Sequence, residues 1–231
     1  GEDGPIRCTV RAPDAIGAAD LGRAHLVLLC GVKELSATTA GLLLDYLRGG
    51  GGMICFLSSP ADQANLATLQ RLAPDEFQMP FDPGAVIDYS GGTRSVTLVN
   101  ANYDDPILRP FREMPELGKI QFRRLLKTEP AKDPGQVLAS FSDGNAALAR
   151  QNGAAGSLLL CNFSPSPDAG DLARSALFVP LMQELAAAMR PQSGAWRAFK
   201  SGGPCMATVA LDPSAALPAL ESPSGEKLDA V

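Results

Sequence analysis

The sequence predicts an α/β protein: a three-layer sandwich with a mostly parallel sheet flanked by helices, followed by a partial β-sandwich segment at the C-terminal end. Three observations carry that expectation. Continuous apolar runs at residues 25–30, 53–57 and 156–163 have the pattern of parallel strands buried on both faces. The early strands alternate with segments of helical apolar spacing, as in a parallel sheet covered by helices. After Pro191 the chain turns to short alternating runs (205–211, 217–220) broken by Asp212-Pro213 and by turn residues at 222–225, which is the chemistry of an all-β module. The expected boundaries are an α/β domain over 1–191, then a linker and the first strands of a truncated β-sandwich over 192–231.

The elements follow in order. Ile6 to Val10 alternates weakly and reads as a first strand. The strand from His25 to Cys30 precedes Ser36, an N-cap for a helix reaching about Arg48, with Ala40, Leu43, Leu44 and Leu47 on one face. Gly49 to Gly52 stop that helix. Met53 to Leu57 is the next strand, and a helix from Asp62 to about Ala73 ends before Pro74. Residues 77–92, rich in Pro and Gly, read as irregular. Ser95–Val99, Ile120–Thr128, Val137–Phe141 and Ala146–Arg150 read as strands separated by turns such as Asp143-Gly144 and Asn152-Gly153. Asp105-Pro106 opens a helical turn reaching Phe111. After the strand Gly156–Phe163 comes a helix from Leu177 to Met189, with Leu177, Leu181, Leu185 and Met189 spaced by four, Pro180 in its first turn and Pro191 beyond its end.

Of 231 residues, 45% are apolar and 19% charged, a folded composition. A net charge of −5 gives no global reason to bind nucleic acid or an anionic membrane. The one basic run, Lys119, Arg123, Arg124 and Lys127, alternates with Ile120, Phe122, Leu125 and Leu126 and reads as a strand with a solvated face. No window reaches the roughly 18 apolar residues of a membrane span and no signal peptide opens the chain, so a soluble fragment without direct membrane insertion is expected. The opening Gly1-Glu2-Asp3-Gly4 lacks a methionine, so any anchor is expected to lie outside the fragment. Cys8, Cys30, Cys55, Cys161 and Cys205 are far apart, which argues against a zinc or dithiol site. Cys30, Cys55 and Cys161 fall in buried strands, where cysteine acts as a small hydrophobe. No cofactor or metal is expected.

The stretch GGGGMICFLSSPAD, Gly49 to Asp62, needs the closest reading. A phosphate-binding loop places its glycines between a strand and the following helix, with a lysine after them. Here the glycines follow a helix, precede a strand and lack the lysine, and a dinucleotide-binding loop fails for the same reason. They are a helix stop. At the carboxyl edge of the sheet, the usual ligand crevice of open α/β folds, Gly31, Ser58, Ser59 and Asp168 mark a candidate crevice. Ser58 is the weak nucleophile candidate there, with Asp62 and Glu34 as accompanying acids. Ser58, Ser59 and Asp62 also read as a helix cap, which is preferred because a serine without an evident base is a poor nucleophile. Asp104-Asp105 reads as a turn cap, and Asp168 and Asp171 as caps of the following helix.

Taken together, the strand HLVLLCGV, the helix ending DYLRGGGG, the strand MICFLSS, then DDPILRPF, VLASFSDGNAALAR, GSLLLCNFSPSPD and LFVPLMQEL resemble the class I glutamine amidotransferase-like fold, also used by the ThuA-like family. The resemblance covers roughly residues 21–190 and implies a flavodoxin/amidotransferase-like architecture. It is nearest to the segment found in bacterial membrane-anchored proteins with an aerotolerance-regulator-type N-terminus and a von Willebrand factor A domain. It also implies that an active member would carry a nucleophilic cysteine on a tight turn after the second strand, near Leu57, Ser58 and Ser59, with a late histidine and carboxylate. Cys55 lies too early, the only histidine is His25 at a strand entry, and Pro165 to Asp168 holds none. The expected role is therefore a non-catalytic scaffold or interaction module, its partners being other domains of the same polypeptide or a separate protein. The alternatives are a hydrolase or transferase using Ser58, or a small-ligand or carbohydrate-binding domain.

Overall fold

The computed structural model describes residues 8–75, 77, 79–130, 136–152 and 156–189, together with 220–221 and 227–228. The chain divides into two compact units, Gly1–Pro191 and Gln192–Val231. In the first, a short helix α1 (Ala18–Leu21) precedes β1 (Leu26–Cys30), α2 (Ala37–Arg48), β2 (Gly52–Phe56) and α3 (Pro60–Leu72). Then come β3 (Phe81–Asp88), β4 (Leu98–Val99), β5 (Arg124–Pro130), β6 (Gln136–Phe141), β7 (Ala146–Asn152), β8 (Ser157–Cys161) and α4 (Phe178–Ala188).

The main sheet has six strands in the order β1-β2-β8-β7-β6-β4. β1, β2 and β8 run parallel, in register Leu26 with Gly52 and Gly52 with Ser157. β8, β7, β6 and β4 pair antiparallel. The sheet is thus mixed, not mostly parallel. A tight turn through Gly144, at φ +91, joins β6 to β7, and few residues separate β7 from β8; connections that short link antiparallel neighbours.

Alternate residues of β2 enter two separate cores. Met53, Cys55 and Leu57 pack with Leu43 and Leu44 of α2 and Leu66 and Leu69 of α3. Ile54 and Phe56 pack with Leu181 and Leu185 of α4, beside Phe122, Phe141 and Phe163. All five β2 residues are buried, which explains the continuous apolar run. Removal of each large side chain from water contributes roughly 1.5–3 kcal/mol.

Ser36 caps α2, its Oγ accepting from the Thr39 N–H at 3.1 Å. Gly50 ends the helix in the left-handed region, at φ +88. At Gly52 an added Cβ would lie 2.0 Å from the Met189 carbonyl oxygen, so β2 starts where the end of α4 leaves no room for a side chain. The glycine run is a helix stop followed by a close crossing.

Several expected elements are corrected. Residues 8–10 form no strand, and Val10 is 87% exposed. Residues 77–92 are not irregular throughout, because β3 pairs antiparallel with β5 in a separate two-stranded sheet. Pro83 and Gly84 sit at a register shift in that pairing, a bulge that disguised the strand as a loop. The strand expected from Ile120 starts at Arg124, and Phe122 makes isolated bridges to Val96 and Gly170. The Ser95–Val99 strand shortens to Leu98–Val99. α3 begins at Pro60, ahead of Asp62. Cys30 is exposed instead of buried, because β1 ends the sheet.

In the second unit, β9 (Leu220–Glu221) pairs antiparallel with β10 (Lys227–Leu228). The expected strand over 205–211, and Cys205 with it, lie outside the described residues. Among the described residues, no helix is long and apolar enough to cross a membrane.

Candidate functional site

The carboxyl edge of the parallel strands is where the sequence places its candidate crevice. Pairing runs one residue past β2, the Leu57 N–H donating to the Cys161 carbonyl at 2.8 Å. The chain then turns into α3 through Ser58 and Ser59. There Asp62 Oδ2 accepts from the Ser58 N–H at 2.9 Å, the Ser59 N–H at 2.9 Å and the Ser59 hydroxyl at 2.7 Å. The Asp62 N–H donates back to Ser59 Oγ at 3.3 Å, closing a capping box. An elbow needs backbone N–H groups free to meet a developing oxyanion. Here a carboxylate already holds both, and it puts negative charge where an oxyanion would form.

The backbone agrees. Among the described residues the only non-glycine with positive φ is Asn100, so Ser58 is not held in a strained turn. The space enclosed by Leu29, Val32, Leu57, Asp62, Asn65 and Leu66 is about 10 Å³, roughly one water. Asn65 closes this end: its Oδ1 accepts from the Leu35 N–H at 2.8 Å and its Nδ2 donates to the Val32 carbonyl at 2.8 Å. Both bonds tie the loop after β1 to α3.

The other candidates do not gather around Ser58. Gly31 ends β1 at φ +62 and is exposed. Glu34 and Asp168 are exposed, and neither forms a side-chain bond among the described residues. His25 is exposed just before β1, at the opposite end of the strand from Gly31. Cys55 is fully packed, and burial, reinforced by Asp62, pushes its thiol up to about 12, which holds it neutral. Burial, and then Cys55, also raises the Cys161 thiol.

Asp171 is not a side-chain cap, as the sequence suggested: it takes a two-point ion pair from Arg123, at 2.8 and 3.3 Å. Asp104 pairs with Arg112 at 2.6 Å. The buried Asp105 caps its turn, accepting from the Ile107 N–H at 2.9 Å, and meets Arg150 Nη2 at 2.6 Å. Among the described residues no group of three His, Cys, Asp or Glu could hold a metal ion.

Sequence reasoning missed two features. Asn162, wholly buried, accepts from the Leu126 N–H and donates to the Leu126 and Ala146 carbonyls, each at 2.8 Å, joining β5 to the main sheet. A second hollow, about 310 Å³ and open to solvent, lies between the turn at 116–120 and the loop after β8, lined by Glu116, Lys119, Ile120, Asp171, Arg174 and Ser175. These residues are distant in sequence, and Lys119 in the basic run was the only local sign of it.

No family model matches the chain, and no curated protein matches it. Two solved structures share the fold: cytoplasmic protein STM3548 from Salmonella typhimurium, 10% identical, TM-score 0.59, covering 78% of each chain, and cytoplasmic protein STM1381 from Salmonella typhimurium LT2, 16% identical, TM-score 0.57, covering 75% of each. A beta-galactosidase from Bacillus circulans sp. alkalophilus matches at 15% identity over 74% of this chain and 24% of that one, with a TM-score of 0.47, too slight to argue from. These findings overturn the resemblance to the class I amidotransferase-like (ThuA-like) family. With it go the expected aerotolerance-regulator-type N-terminus, von Willebrand factor A domain and membrane-anchored parent. The motifs that carried it are a strand, a glycine-stopped helix and a second buried strand, which many α/β units share. At these identities the two Salmonella proteins are similar to this chain in fold alone.

Proposed function

We propose that the chain is a non-catalytic binding module, holding another domain of the same polypeptide or a separate protein partner and doing no chemistry of its own. The observation that carries this reading is Asp62, whose carboxylate occupies the N–H groups of both Ser58 and Ser59. The two cores, one under α2 and α3 and one under α4, favour a three-layer, flavodoxin-like arrangement in which the sheet is a rigid support. The partner's place in this reading is the outer edge of β1. That strand, Leu-Val-Leu-Leu-Cys, has no charge, proline or bulge to blunt an edge, ends the sheet among the described residues, and leaves Leu28 44% exposed. An extended segment of the partner would add a further strand there through main-chain hydrogen bonds.

The test has two arms. A fluorophosphonate probe followed by peptide mass spectrometry is expected to leave Ser58 and Ser59 unmodified, and a stoichiometric adduct on either would overturn the reading. A photo-crosslinking residue at Leu28 is expected to give one discrete heteromeric adduct in cells, absent when the crosslinker replaces the exposed Asp45 of α2. Equal or no crosslinking from both positions removes the β1 edge as the partner's place.

A further inference from the structure

We infer that the hollow between the 116–120 turn and the loop after β8 is a binding site for a small organic anion, a carboxylate or phosphate that also carries a hydroxyl or ammonium donor. It goes beyond the binding-module reading and stands on different residues.

Charge comes first. The hollow has Lys119 and Arg174 on opposing segments, and among the described residues neither is paired with an acid. Asp171, also in the lining, is already engaged by Arg123 at 2.8 Å. With that acid neutralised, Glu116 alone opposes Lys119 and Arg174, leaving one positive charge in excess. The chain as a whole carries −5, so this local sign is opposite to the global one.

Position and shape agree. Asp171, Arg174 and Ser175 belong to the loop that leaves the carboxyl end of β8, and its backbone is pinned: the Asp171 N–H donates to the Gln121 carbonyl at 2.8 Å. Residues beyond the carboxyl ends of parallel strands are where open α/β sheets bind ligands. The volume, about 310 Å³, lies at the lower end of the roughly 300–1,000 Å³ usual for small-molecule sites. The buried Ile120 supplies an apolar floor.

The chemistry defines the ligand. The lining supplies a guanidinium and an ammonium from two segments of the chain, and these suit the oxygens of a carboxylate or phosphate. Glu116, an acceptor only, suits a hydroxyl or ammonium on the same molecule. The openness of the hollow and the exposure of both cations make the binding weak, on the order of 1 mM, and sensitive to salt.

Amide NMR of the whole chain, titrated separately with glycolate, a carboxylate that carries a hydroxyl, and with phosphoethanolamine, a phosphate that carries an ammonium, tests this. Saturable shifts are expected at 116–120 and 171–175, weakening several-fold when salt rises from about 0.05 to about 0.3 M. Lys119→Ala with Arg174→Ala should weaken binding at least tenfold without altering the melting temperature, since both side chains are exposed. A response to phosphoethanolamine alone or to glycolate alone names the head group and supports the proposal. Absence of saturation with both up to about 20 mM, or an unchanged response in the double variant, overturns it. The serine-labelling experiment does not report on this hollow, so the two ideas fail separately.

Discussion

Asp62, Ser58 and Ser59 form one local unit in which a carboxylate answers three donors, and its parts contribute unequally. Asp62→Ala leaves two backbone N–H groups without their acceptor at the start of α3. It should lower unfolding stability by about 1–2 kcal/mol, read from the urea midpoint. Ser58→Ala removes a hydroxyl that the cap does not use and should change stability by less than about 0.5 kcal/mol. A large loss in the Ser58 variant would mean that its hydroxyl has a role the capping box does not explain. Asn162 gives a stronger case. Asn162→Leu keeps the number and branching of side-chain heavy atoms but adds bulk and strips three bonds from buried backbone groups, and should cost about 2–4 kcal/mol. Faster hydrogen exchange at the Leu126 amide would locate the damage at β5. The Ser59–Asp62 cap was legible because its partners are three residues apart. Asn162 and Leu126 are 36 apart, and nothing local joins them.

At the scale of elements, glycines separate what propensity sets from what packing sets. Gly41 lies inside α2, and an added Cβ there meets nothing within 4 Å. Gly41→Ala should therefore stabilise the protein by about 0.5–1 kcal/mol, as a rise in melting temperature. Gly52→Ala should do the reverse, because the new methyl must displace the backbone at Met189. A loss of at least about 2 kcal/mol is expected, and a neutral result would show that α4 can move away from β2 at little cost. α2 was readable end to end, from the Ser36 cap to Gly50, because its caps and apolar spacing are local. β3 was not, because Pro83 and Gly84 are breakers by type and become a strand only through pairing with β5.

For the whole molecule, the buried thiols couple stability to pH. Folding raises Cys55 from 9.0 to about 12 through burial, so the folded state holds its proton more tightly than the unfolded chain. That contribution is present in full below about pH 9 and is lost as pH rises toward about 12, at up to about 1.4 kcal/mol per pH unit for one such group. Unfolding free energy measured from pH 8 to 11 should fall, and Cys55→Ala should fall less steeply from a lower start. Equal slopes would assign the alkaline loss to other groups, Tyr46 among them, whose hydroxyl burial also pushes up to about 12.

By itself the sequence determined the alternation of strand and helix, the glycine stop before β2 and the capping of α2. Each of these rests on residue types a few positions apart, where sterics, spacing and hydrogen-bonding capacity act directly. Tertiary structure alone decided that half of the main sheet is antiparallel, that β1 is an edge which leaves Cys30 exposed, and that Asp171 serves Arg123 instead of a helix. It also placed Lys119 beside Arg174 in one hollow. Those outcomes depend on which distant segments lie side by side, and that is set by the summed burial of the two cores and the geometry of the sheet, not by any single stretch of chain.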